Sequence, residues 1–200
     1  NQPSKDKWNW TSNDRIVDLI DHQGMRMFMS FMSTPKWAIA KDWKPIRKKG
    51  IPRPDYEAYG NYVYNLVKHY KGKIKYFEVW NEPDIHYFAN FSDAEFTQMQ
   101  RIAYKELKKA NPDAQLIAGS FANVTGFPLQ RYVFSHAPGT YDLHGYHEHG
   151  TFEQYQGPIT GLLKLRKECK VNKPWISTET AVGTGDEKLR AITLYKKLLY

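Results

Sequence analysis

Ile74-Lys75-Tyr76-Phe77-Glu78-Val79-Trp80-Asn81-Glu82-Pro83-Asp84 is the stretch on which the reading of this chain turns. Its first seven residues are rich in β-branched and aromatic side chains, the composition of a strand. Pro83 has no amide hydrogen to give to a ladder, so the strand must break there and leave Glu82 at its C-terminal tip. The same design recurs at residues 175–179, where Trp175-Ile176-Ser177-Thr178 delivers Glu179 to a second tip.

Working outward, helix and strand signals alternate strictly. Helices are expected at residues 12–22, 55–70, 92–110, 129–136, 159–169 and from 187 to the end of the chain, with strands at 25–31, 74–80, 115–120, 141–147 and 175–179. Gly24 and Gly72 close two of the helices, and Ser92 with Glu95 has capping-box spacing. Strands separated by helices imply parallel pairing, adjacent and in chain order. No glycine-rich phosphate loop follows any of them, so the usual nucleotide-binding open sheet is not indicated. Polar residues gathered at several strand tips suit a (β/α)8 TIM barrel instead. Five strands cannot close such a barrel, so residues 1–200 are expected to form one partial barrel domain.

Composition sets wider bounds. At 41% hydrophobic and 25% charged residues the chain is ordinary globular material, not disordered. The net charge of +8 is spread over short clusters such as Arg47-Lys48-Lys49 and Lys108-Lys109, without a basic helix, which argues against a nucleic-acid partner. It leaves an acidic sugar as one idea, with Lys36 the basic residue expected nearest a strand tip. No apolar run approaches the ~20 residues of a membrane span, so no membrane partner is expected. No signal peptide is read at the start. A secreted or periplasmic location is expected only if such a segment precedes the chain. The single cysteine, Cys169, reads as a buried structural thiol. Aromatic residues make up 15%, with six Trp and fourteen Tyr, more than a core of this size needs. Trp37 is a candidate platform for a flat apolar ligand face, with Phe121, Phe127 and Tyr155 weaker ones.

Glu82 and Glu179 lie three strands apart. In an eight-stranded barrel, strands three apart face each other across roughly 14 Å. Two glutamates reaching inward by roughly 4 Å each would leave a carboxyl gap of about 6 Å. Retaining glycosidases work with about 5–5.5 Å and inverting ones with about 6.5–9.5 Å. A neighbouring negative charge raises a carboxylic acid's pKa, so closeness itself helps keep one partner protonated while the other stays ionised.

At this point residues carry a resemblance. Trp80-Asn81-Glu82-Pro83 resembles the acid/base signature on the fourth strand of the clan A glycoside hydrolases, and Thr178-Glu179 resembles the nucleophile signature on the seventh. The span Phe77–Asp84 with Tyr87-Phe88, Trp8-Asn9-Trp10-Thr11, and Phe31-Met32-Ser33-Thr34-Pro35-Lys36-Trp37 are most similar to glycoside hydrolase family 39. The resemblance covers nearly the whole chain and places it as strands three to seven. It implies a retaining glycosidase without cofactor or metal, acting on a glycoside, oligosaccharide or polysaccharide, with Glu82 as acid/base and Glu179 as nucleophile. It further implies that Asn81 meets the sugar 2-hydroxyl and that His147 lies near the sugar. Where that family has a Tyr touching the nucleophile this chain has His149, and Tyr146 is the expected substitute.

Two other readings remain open. A barrel that keeps the motif could bind sugar without turnover. His147 and His149 share one face of a strand at metal-ligand spacing, so with Glu179 they could serve a metallohydrolase. Glu78, in phase with Glu82 but deeper, reads as structural and needs a buried partner such as Arg or His.

Overall fold

The computed structural model describes residues 2–122 and 126–199. Five parallel strands pair in chain order: β1 (Phe28–Ser30), β2 (Tyr76–Glu78), β3 (Gln115–Phe121), β4 (Leu143–His147) and β5 (Trp175–Glu179). Around them run α1 (Thr11–His22), α2 (Tyr56–His69), α3 (Asp93–Ala110), α4 (Pro128–His136), α5 (Phe152–Glu168) and α6 (Glu187–Leu199). This is the expected alternation, and the five strands with their helices form a half-barrel, a fragment of a (β/α)8 TIM barrel.

The strongest core lies between the sheet's outer face and the helices. Phe77 and Val79 of the second unit meet Phe31, Val63, Leu66 and Leu107, all fully buried. Each such side chain contributes roughly 1.5–3 kcal/mol of apolar burial. Phe121, offered as a ligand platform, belongs to this core, edge-on to Phe96 and Phe134. Phe127 packs against Gly161 of α5, where a Cβ would lie 2.9 Å from its ring.

Boundaries differ in instructive ways. The strands expected at 25–31 and 74–80 are only three residues long. Their flanks still bond to neighbours, Phe31 N–H donating to Glu78 O and Val79 N–H to Ile117 O. Helix α5 begins seven residues earlier than expected. Thr151 and Gln154 form a reciprocal capping box, and this nucleus carries the helix through Pro158. Proline inside a helix removes one hydrogen bond, and the cap and the buried face of Tyr155, Ile159, Leu162 and Leu165 offset that loss. Cys169 caps α5 and is half-buried, so it does not belong to the sealed core.

Two irregularities set the tips. The β3–β4 register shifts between Ala118 and Phe121, where Gly119 adopts a left-handed φ of 43°. A second shift between Tyr146 and His147 lets His147 pair with Glu179. Bulges of this kind re-aim side chains at sheet ends. Gly145 is required beside them, because a Cβ there would sit 2.5 Å from an Ile117 methyl.

Candidate active site

Four strand tips converge on one polar cluster. Glu82 follows β2 with φ 43°, a left-handed conformation that costs a non-glycine residue of order 1–3 kcal/mol. The surroundings hold it there: its amide donates to Ser120 O at 2.9 Å, and Asp84 Oδ1 accepts from Ala122 N–H at 2.9 Å. Trp80 is fully buried and donates through Nε1 to Phe88 O, anchoring the strand end from behind. Asn81 bridges to Ser120 beside Glu82 and is half-exposed.

His147 is the hub. Its Nδ1 shares a 2.9 Å hydrogen bond with Glu82 Oε1 and lies 3.7 Å from Glu179 Oε2. Laid end to end, 2.9 and 3.7 Å bring those two carboxylate oxygens to at most 6.6 Å apart. His149 Nε2 stands 3.5 Å from Glu179 Oε1. The two carboxyls differ in setting: the Glu82 side chain is 11% exposed and that of Glu179 54%. One is enclosed against histidine, and the other is open to an incoming ligand.

Below this pair a hydroxyl chain runs inward. His147 Nε2 bonds Thr178 Oγ1 at 3.1 Å, and Thr178 Oγ1 bonds Ser120 Oγ at 2.7 Å. Glu78 is buried beside it, with the Thr178 and Ser30 hydroxyls as neighbours and Oε1 without a hydrogen-bond partner among the described residues. Burial pushes its pKa from 4.5 up to about 8, the two hydroxyls opposing the shift and the charge of Glu179 adding to it. The expected Arg or His partner is absent among the described residues. Sequence reasoning missed Thr178 and Ser120 as members of the site. Thr178 sits in the quoted Thr-Glu pair, but its aim depends on the bulges, which periodicity does not reveal.

Other expected site residues fall elsewhere. Tyr146 spends its hydroxyl on Tyr155 at 2.9 Å and packs against Trp175, so it does not replace the tyrosine beside Glu179. Strand alternation turns it with His144 toward the helices, whereas His147 follows the bulge. Tyr155 is buried as its partner and is no platform. Trp37 donates through Nε1 to Gln2 O and lines a recess of about 190 Å³ with Met32, Pro35, Tyr59 and Tyr62. Neither glutamate belongs to that lining. Lys36 is exposed, and both carboxylates have histidines as their ion-pair partners among the described residues, so the site gives no support to an acidic sugar.

The metal alternative also changes shape. The ligand atoms that gather within 4.8 Å of one another are those of Glu82, His147 and His149, not the expected trio with Glu179. Within that trio His147 Nδ1 already serves Glu82, and Nε2 serves Thr178. Both ring nitrogens are thus engaged, so a cation would have to displace an existing bond.

A parallel half-barrel with a glutamate pair at the tips of strands three apart defines a clan A glycoside hydrolase barrel. More narrowly, the chain belongs to the glycosyl hydrolases family 39, whose model matches residues 1–130. A β-xylosidase of Geobacillus stearothermophilus is 26% identical over 119 residues, 54% of this chain and 24% of that one. Among solved structures, a family 39 β-xylosidase from Caulobacter crescentus superposes with a TM-score of 0.72 at 16% identity, covering 92% of this chain and 44% of that chain. Xylanase 10B from Thermotoga maritima gives a TM-score of 0.63 at 18% identity, covering 98% and 62%. At these identities the structural likeness concerns the fold. The chain spans about a quarter of the curated relative and less than half of the Caulobacter structure.

Proposed function

We propose that this chain supplies the catalytic carboxylate pair of a retaining glycosidase, Glu82 as acid/base and Glu179 as nucleophile. The observation that carries the reading is the ceiling of 6.6 Å between the oxygens that flank His147 Nδ1. It accommodates the ~5–5.5 Å of double displacement and leaves almost none of the ~6.5–9.5 Å that an inverting enzyme needs for its water. Glu82, enclosed against His147, is placed to meet a leaving oxygen, and the more exposed Glu179 is placed to attack an anomeric carbon. In the first step Glu82 gives its proton to the leaving oxygen as Glu179 forms the glycosyl–enzyme bond. In the second, Glu82 takes a proton from water as that bond is hydrolysed. Asn81, whose side-chain amide has no partner among the described residues, is free to meet a sugar hydroxyl at the same tip. His147 and His149 complete the wall.

The substrate class is a glycoside, with xylosides the first choice because the curated relative and two of the solved structures are named β-xylosidase or xylanase. Residues 1–200 are taken as strands three to seven of one catalytic barrel. Apolar side chains exposed on α1 (Ile16, Leu19) and α6 (Leu189, Ile192, Tyr195), which flank the two sheet edges, support that placement. A panel of aryl glycosides, with the anomeric configuration of the first-formed sugar read by NMR, tests it on the full-length protein. Retention is expected, and inversion overturns the assignment. Activity that a chelator abolishes would instead favour the metal trio.

A further inference from the structure

We propose that Lys197 is a positioning residue for the nucleophile, a buried side chain of α6 that clamps together the two strand continuations on which Glu179 and His149 stand. The inference rests on the assignment of Glu179 as nucleophile. Lys197 is 7% exposed, and its Nζ donates to three oxygens: Thr180 Oγ1 at 3.1 Å, and Glu148 O and Ala181 O at 3.4 Å each. Glu148 lies between His147 and His149, and Thr180 and Ala181 follow Glu179 directly. One ammonium group thus joins the chain leaving β4 to the chain leaving β5.

The side chain of Glu179 has little of its own to hold it. It is 54% exposed, and its carboxylate makes no hydrogen bond among the described residues. His149 Nε2 and His147 Nδ1 stand at 3.5 and 3.7 Å, longer than a good hydrogen bond. Its place is therefore set by its backbone. That backbone lies just past a register shift, where Glu148 N–H gives Glu179 O a bond of 3.4 Å. Further out the pairing tightens again, with Thr180 Oγ1 donating to Glu148 O at 2.8 Å and Gly150 N–H to Ala181 O at 2.9 Å. Lys197 sits across this second set of contacts. An ammonium has three protons and no lone pair, so it matches three acceptors, and Thr180 Oγ1 can accept from it while donating to Glu148 O.

Helix α6 buries Thr193 and Lys197, one turn apart, among its described residues. Docking alone would be served by an apolar side chain, since burying a charge is costly unless oxygens compensate it. The Tyr155 ring, with its centroid 5.1 Å from Nζ, adds a cation–π contact and ties the clamp to α5. Without the ammonium, Glu148 O keeps its bond from Thr180, and Ala181 O keeps its bond from Gly150. Loss of Lys197 should therefore fall on the placement of Glu179 more than on stability.

The test is a double-mutant cycle on the full-length protein with 2,4-dinitrophenyl β-xyloside as substrate. Lys197→Met should lower kcat/KM by roughly ten- to a hundredfold, as for a reacting group displaced by up to about 1 Å. The inhibition constant of an unreactive thio-linked xyloside and the melting temperature should change little. Lys197→Arg, which keeps a cation with several donors, should recover most of the rate. In Glu179→Ala supplied with azide, a free anion replaces the carboxylate, and adding Lys197→Met should then cost nothing further. An equal loss in the azide-supplied background, or an unchanged kcat/KM in Lys197→Met, overturns the clamp. Should Lys197→Met not fold, Thr180→Val removes the hydroxyl between Lys197 and Glu148 and is put through the same cycle, with the same two outcomes. Failure of the nucleophile assignment shows separately, as a Glu179→Ala protein that azide does not restore to a product of inverted configuration, and it takes the role of Lys197 with it.

Discussion

His147 Nδ1 is hydrogen-bonded to Glu82 Oε1 at 2.9 Å, and that single contact ties the tip of β4 to the break after β2. The histidine is almost fully buried, so the bond is made in a water-poor setting where electrostatic contacts are strong. Removing the ring should cost more than removing a surface contact. His147→Ala frees Glu82 from its left-handed perch and leaves Glu179 without its inner neighbour. Displacement of reacting groups by about 1 Å costs roughly 10²-fold, and kcat/KM should fall by about that factor on every substrate, with a drop in thermal stability as well, because loss of the buried ring leaves a cavity and takes a hydrogen bond from each of two partners. Loss confined to one class of leaving group would contradict a shared orienting role.

Glu82→Ala should behave differently. Removal of the proton donor hurts substrates in proportion to the pKa of the leaving group, and general acid catalysis is worth roughly 10²–10⁴-fold. Rates on 2,4-dinitrophenyl glycosides should stay near those of the unaltered protein for bond formation to the enzyme, while phenyl glycosides should drop through that range. Added azide should restore turnover with product of retained configuration. Equal losses on good and poor leaving groups would remove Glu82 from the acid role.

The pH dependence of stability follows from two buried groups of opposite sign. His144 is fully buried and bonded to Gln130 and Arg166, and burial with the nearby guanidinium lowers its pKa from 6.5 to about 3. Below pH 6.5 the unfolded chain takes up a proton that the native state refuses, so stability should fall as pH drops from 6.5 toward 3. Glu78 works the other way. Its native pKa of about 8 exceeds 4.5, so the native state holds the extra proton between those values and stability should decline as pH rises through that window. Each group contributes a slope of up to about 1.4 kcal/mol per pH unit. Urea titrations at pH 5 and 8 should show Glu78→Gln losing less stability over that interval than the unaltered protein.

His149 stands where the family resemblance implies a tyrosine beside Glu179, the proposed nucleophile, 3.5 Å from its Oε1. If its task is to offer a donor to that carboxylate, His149→Tyr should keep kcat within about tenfold and His149→Phe should lose more, since a hydrogen bond to a charged group is worth about 1.5–3 kcal/mol. Equal kcat values for the two variants would show that the donor is not needed.

Much of this site was legible from residue types alone. Pro83 marks where β2 breaks, and Pro174 introduces the run that ends at Glu179, so both carboxylates could be placed at strand tips and three strands apart. Alternation of helix and strand gave the parallel order. What local pattern could not supply was the effect of the bulges. Counting by twos from His144 puts Tyr146 on its face and His147 on the opposite one, but which residue of β5 faces His147 depends on the register shift, which sets it opposite Glu179. The hydroxyl chain was hidden for the same reason, since Ser120 follows the left-handed Gly119 and Thr178 lies at the second shift. The early start of α5 was masked by Pro158, whose usual meaning is overridden by the capping box before it.

The division of labour between the two glutamates can be read from one covalent bond. An activated 2-deoxy-2-fluoro glycoside slows both steps but slows hydrolysis of the intermediate more, so a sugar ester accumulates on the nucleophile. Full-length protein treated with the 2,4-dinitrophenyl 2-fluoro-β-xyloside, digested and analysed by mass spectrometry, should carry one sugar on the peptide containing Glu179. Fragmentation should place it on that side chain. A label on Glu82 or Glu78, or steady turnover of the non-fluorinated glycoside with no label on any carboxylate, would contradict the account.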